Sequence, residues 1–76
     1  MKTNLRYYRE KAYLQIKELA PLAGVSVQYI SNIENERANP SFPMMRKIAA
    51  ALGVPVEEVF PRDPARIIET NPKIVA

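Results

Sequence analysis

Gln28, Ser31 and Asn32 lie three and four residues apart, interleaved with apolar Ile30 and Ile33. On a helix, residues at that spacing share a face. A side-chain amide donates and accepts through one planar group, which is the geometry that matches N6 and N7 of adenine in a major groove. Val27 can meet a thymine methyl, and the Ser31 hydroxyl can bond a base edge or a phosphate. Lys and Glu would serve a merely solvated face better. The competing reading of Gln28 and Asn32 is plain solvated surface.

A helix that presents such a face needs a start, an anchor and a stop. Gly24 supplies a left-handed residue that ends the preceding helix, and Ser26 is a good N-cap for a helix from Val27 to about Asn35. Ile30 and Ile33 turn inward as its anchor. Upstream, Thr3 or Asn4 can cap a first helix with Leu5, Tyr8 and Ala12 on one stripe. A second helix is expected from about Gln15 to Ala23, with Ile16, Leu19, Ala20 and Ala23 inward. Pro21 inside it predicts a kink or a shortened helix.

Downstream, Asn39-Pro40 breaks the chain and Ser41 caps a fourth helix with Phe42, Met45, Ile48, Ala49 and Leu52 as its apolar stripe. Pro43 falls in the first turn, where a missing N–H is tolerated. Gly53 closes that helix, and Pro55 to Phe60 start a short fifth. After Phe60 the chain is rich in proline. Asp63-Pro64 and Asn71-Pro72 bracket an expected short helix at about 64–70 that presents Ile67 and Ile68. Residues 1–60 read as one domain and 61–76 as a tail used in packing or dimerisation. For a dimer contact Ile67, Ile68, Ile74 and Val75 are candidates, with the fifth helix equally eligible.

Seventy-six residues allow one small domain, and 47% apolar with 25% charged residues is the balance of a folded chain rather than a disordered one. With no Cys, neither disulfides nor thiolate metal sites can support so small a core, which makes dimerisation a natural supplement. With neither His nor Cys, and no carboxylate pair in a catalytic context, the chain is not expected to be an enzyme or to hold a cofactor or metal. No apolar run is long enough to span a bilayer, so a cytoplasmic protein without a membrane partner is expected. Five basic against two acidic residues in the first twenty hint at a polyanionic partner.

Two helices joined by a tight Gly-containing turn, the second exposing short polar side chains, describe a helix-turn-helix. At these residues the sequence resembles the Cro/C1-type, or XRE, family. The matching residues are Leu5 and Arg9; Glu18-Leu19-Ala20; Ala23-Gly24-Val25-Ser26; Tyr29-Ile30-Ser31 with Ile33-Glu34; and Asn39-Pro40-Ser41. Ile48-Ala49, Ala51-Leu52-Gly53-Val54 and Glu58-Val59-Phe60 complete the pattern, which covers roughly residues 4–60.

The resemblance implies an all-α, five-helix, lambda-repressor-like domain that binds double-stranded operator DNA, an inverted repeat, as a homodimer. Helix 3 would enter the major groove with Val27, Gln28 and Asn32 toward the bases. Asn35, Arg37 and Asn39 would match residues that reach phosphates, and Arg9 with Glu34 would form a buried ion pair between helices 1 and 3. The chain also departs from the family. Tyr13 replaces its frequent Gly after helix 1, so that turn needs another conformation or strain. Ile16 replaces a phosphate-binding Gln, a role left to Gln15 or Lys17. Glu36 replaces the Gly after helix 3 and is tolerated if Asn35 takes the left-handed angles.

Tyr7, Tyr8, Tyr13 and Tyr29 could suggest base stacking. The stronger reading makes Tyr8 a core residue and Tyr29 a half-buried one whose hydroxyl reaches a phosphate. Met44 and Met45 read as core or interface filler. Two functions from different classes follow. One is a sequence-specific, repressor-like transcriptional regulator. The other is a protein-interaction module of the same fold, such as an antitoxin or a regulator's partner, favoured by the lack of Lys or Arg between Val27 and Glu36.

Overall fold

A computed structural model describes residues 1–68. Five helices follow in order: α1 (Leu5–Lys11), α2 (Ile16–Ala23), α3 (Val27–Glu34), α4 (Phe42–Leu52) and α5 (Val56–Val59). A 3-10 turn, Pro64–Arg66, comes after them. Every helix places at least one side chain in a single core. Leu5, Leu19, Ile30, Ile33, Ile48 and Val59 are fully buried in it. α2 is central, packing on both α3 and α4; α1 meets α3, and α4 meets α5. The result is an all-α, five-helix domain with helix-turn-helix packing of α2 on α3.

The first four helices stop in the same way. One residue takes a left-handed conformation, its N–H bonds three residues back, and the next N–H bonds five residues back, satisfying carbonyls that the helix leaves open. Gly24 and Gly53 do this at φ 69° after α2 and α4. An added Cβ would meet nothing within 4 Å at either, so the glycines are needed for backbone conformation rather than for space. Tyr13 (φ 58°) and Glu36 (φ 60°) hold the same position after α1 and α3. Tyr13 therefore accepts the strain. Glu36 does too, and the expectation for Asn35 is corrected: its φ is −93°, because the left-handed position falls one residue later.

Other expectations are narrowed or corrected. Of the two capping candidates at α1, Thr3 serves, its Oγ1 accepting from the Leu5 N–H, while Asn4 at the N-cap position makes no side-chain cap bond. Buried Asn4 donates through Nδ2 to the carbonyls of Glu58 (2.8 Å) and Arg66 (3.1 Å), and its Oδ1 accepts from Ile68 N–H (2.7 Å). Ser41 occupies the N-cap of α4 without a side-chain cap bond. α2 is not shortened: it continues through Pro21, whose ring lies on an exposed position.

Ala12 is exposed because α1 ends one residue before it, and Phe42 is exposed because α4 begins there, beyond the core. The helix expected at 64–70 is only the turn Pro64–Arg66, started by Asp63 Oδ1 accepting from Ala65 N–H. Ile67 is already extended. The stop at Asn71-Pro72, and Ile74 and Val75, lie outside the described residues.

Candidate nucleic-acid interface

α3 is held at its beginning, middle and end. Ser26 Oγ accepts from Tyr29 N–H at 3.0 Å, one of the donors that a helix start leaves open. Ile30 and Ile33 bury the inner face. At the C-terminal end Glu34 is clamped by arginine: Arg9 Nε donates to Oε2 (2.6 Å) and Arg9 Nη2 to Oε1 (2.9 Å), a bidentate fork. Arg9 Nη1 also donates to the Leu14 carbonyl at 2.9 Å. One guanidinium thus joins α1, the turn into α2 and the end of α3. The Glu34 side chain is only 1% exposed, so its charge needs this pairing. The hydrogen bonds to Glu34 raise the Arg9 pKa above its ordinary value, against the opposing effect of burial.

Sequence reasoning missed a second arginine. Arg6 Nε donates to Glu34 Oε1 at 3.1 Å, from a side chain 53% exposed. Its spacing of three from Arg9 on α1 was the available signal. The cluster carries two positive charges against one negative, so the end of α3 is not left acidic.

Away from the core, Val27 and Gln28 are exposed while Ser31 and Asn32 are half-buried. Gln28 Nε2 donates to Asn32 Oδ1 at 2.9 Å. That bond joins the two amides and leaves the Gln28 carbonyl as an acceptor and the Asn32 NH2 as a donor. Asn35 Nδ2 donates to the Ser31 carbonyl (2.9 Å) and to Ser31 Oγ (3.3 Å), so the serine hydroxyl keeps its own proton to donate. The same bonds engage the Asn35 amide within the helix.

The remaining candidates surround this face in sequence. Gln15 is the exposed N-cap residue of α2, its N–H bound by Glu18 Oε1 at 2.8 Å, and Lys17 is exposed in the first turn. Tyr29 is half-buried; Arg37 and Asn39 are exposed in the loop between α3 and α4. Among the described residues no group of His, Cys, Asp or Glu could hold a metal ion, and no helix is long and apolar enough to cross a membrane.

Fold and site together define a helix-turn-helix domain whose second helix presents a polar, uncharged face. A profile of the family described as "Helix-turn-helix" matches residues 5–59. The chain is 42% identical over 60 residues to an uncharacterised HTH-type transcriptional regulator of Methanocaldococcus jannaschii, covering 79% of this chain and 91% of that one. It is 44% identical over 56 residues to the HTH-type transcriptional regulator SinR of Bacillus subtilis, covering 72% of this chain and 50% of that one. With SlrR of the same organism the identity is 39% over 57 residues, 74% of this chain and 38% of that one. The chain belongs to the helix-turn-helix family of transcriptional regulators, which are not enzymes. It spans nearly all of the archaeal relative but half or less of the two from Bacillus subtilis.

Proposed function

We propose that this chain is a Cro/C1-type, lambda-repressor-like regulator that binds double-stranded DNA by sequence, with α3 in the major groove. The observation that carries the reading is the linked amide pair of Gln28 and Asn32, turned outward on a helix anchored at both ends. Val27, Gln28, Ser31 and Asn32 face the bases. Phosphates are met by Lys17, Arg37, Asn39, the Tyr29 hydroxyl and the start of α2 at Gln15, and by Asn35 if its amide leaves Ser31. Two copies on an inverted repeat bring two such helices to successive major grooves. Residues 1–60 form the DNA-binding unit and the tail beyond them supports packing or pairing. Repression by occupying an operator in the cytoplasm needs nothing further from the chain.

A second reading, a protein-interaction module of the same fold, is favoured by the absence of Lys and Arg from α3 and by Glu36 beside it. Selection from a random duplex library discriminates the two. A regulator enriches one motif, arranged as an inverted repeat. An interaction module enriches none and shows no affinity for random duplex even at low salt, where phosphate contacts alone would give binding.

A further inference from the structure

Gln28 and Asn32 carry the same amide, and residue type alone assigns adenine to both. The hydrogen bond between them makes them different. An amide has two N–H donors and one carbonyl acceptor. Gln28 Nε2 donates to Asn32 Oδ1 at 2.9 Å, so one amide gives a proton and the other receives it. Gln28 keeps its carbonyl and one N–H. Asn32 keeps both N–H groups, with its oxygen turned to Gln28. Ser31, on the same face, is bonded by Asn35 and competes for neither amide. We infer that this bond makes α3 a reader of two unlike bases, adenine through Gln28 and guanine through Asn32.

The inference rests on the proposed entry of α3 into a major groove and names the base edges selected there. Adenine offers N6–H as a donor and N7 as an acceptor, which the Gln28 carbonyl and its remaining N–H match. Asn32 requires an edge made of acceptors. Guanine presents two, N7 and O6, to the two N–H groups, whereas thymine presents only O4. Adenine N6 and cytosine N4 are donors and would face a donor. For Asn32 to read adenine, its oxygen would have to leave Gln28. Asn32 is half-buried and Gln28 exposed, so the longer side chain is also the freer one to follow a base. Four residues set the two amides about 6 Å apart along the helix axis. Base pairs rise about 3.4 Å, so the adenine and the guanine lie one or two pairs apart.

Selection from a random duplex library with the full chain and three variants tests the assignment, with circular dichroism to confirm that each variant is folded. The wild-type motif is expected to contain an adenine and a guanine one or two pairs apart, each preferred about ten-fold. Gln28→Ala should relax the adenine position and Asn32→Ala the guanine position. Asn32→Asp keeps an acceptor for Gln28 but replaces the NH2 by an oxygen. It should retain the adenine and replace guanine by cytosine, whose N4 amino group donates. A guanine preference kept in Asn32→Asp overturns the inference, as does an Asn32→Ala variant that relaxes an adenine. In either case the DNA-binding reading stands, because a motif is still enriched. A wild-type chain that enriches no motif removes that reading and this inference with it. Side-chain amide exchange by NMR on the free wild-type chain gives a check that needs no duplex and no variant. One Gln28 Nε2 proton should exchange more slowly than its twin, while the two Asn32 Nδ2 protons exchange alike. A protected Asn32 Nδ2 proton, or no protected proton in either amide, overturns the assignment.

Discussion

Gln28 and Asn32 hold each other through one hydrogen bond, and that bond restricts two flexible side chains before any partner arrives. Their spacing of four was visible in the sequence, as was the inward turn of Ile30 and Ile33. The bond between the amides was not, because amide orientation depends on rotamers that spacing leaves open. If the amides read bases, Gln28→Ala and Asn32→Ala should each relax preference at one base position by about 1–3 kcal/mol. An unchanged binding-site profile in both variants would remove direct readout from the proposal. Glu34 makes a contrasting pair of predictions. Arg9→Ala leaves a buried carboxylate with only exposed Arg6 and should cost about 3 kcal/mol in urea denaturation. Arg6→Ala removes the exposed partner only and should cost less than about 1 kcal/mol. Equal losses would show that the two arginines share the charge evenly.

At the scale of the helices, the four matching stops explain what was legible and what was not. Gly24 and Gly53 announced two of them, and Ser26 announced the start of α3. The stops at Tyr13 and Glu36 carry side chains that disfavour the left-handed angles, so residue type pointed away from them. Asn35 tolerates those angles better than Glu36, yet the position that needs them is set by where the α3 hydrogen bonds run out. Tyr13→Gly and Glu36→Gly should relieve this strain. The gain is up to about 1 kcal/mol each, reduced by the greater freedom of glycine in the unfolded chain. Thermal melts check this, and a lower midpoint in both variants would show that the side chains contribute more than their backbone angles cost. Gly24→Ala and Gly53→Ala should move stability the other way, and through the positive φ alone, since both sites have room for a Cβ.

Across the whole molecule, the least legible feature is how the start of α1 meets residues 58–68. Asp63-Pro64 correctly signalled a helical turn, but its length is limited by Asn4, which binds Arg66 O and Ile68 N–H from more than sixty residues away. Short-range signals carry no information about such a contact. Tyr8 adds to the same junction: its hydroxyl donates to Glu58 Oε2 at 3.3 Å, and Arg66 Nη2 donates to Glu58 Oε1 at 3.0 Å. Burial, and then the Glu58 carboxylate, raise the Tyr8 pKa above the ordinary value near 10. The folded chain then holds the phenol proton more tightly than the unfolded one. This stabilisation is complete below about pH 10 and is lost as pH rises through the raised value. Tyr8→Phe should flatten that alkaline decline, which urea midpoints measured across the range would show.

Asn4 tests the junction more severely. Its side chain makes three hydrogen bonds in a buried position, so Asn4→Ala strands two carbonyls and one N–H. At roughly 1 kcal/mol for each bond, the expected loss is about 2–4 kcal/mol. The change should reach beyond α1, because the Asn4 N–H also bonds to Val59 O at the end of α5. Amide exchange should therefore accelerate at Ile68, while Ile30 and Ile33, in the core of α3, should weaken only as far as global stability falls. Equal acceleration at Ile68 and Ile33 would mean that residues 66–68 unfold only with the whole domain.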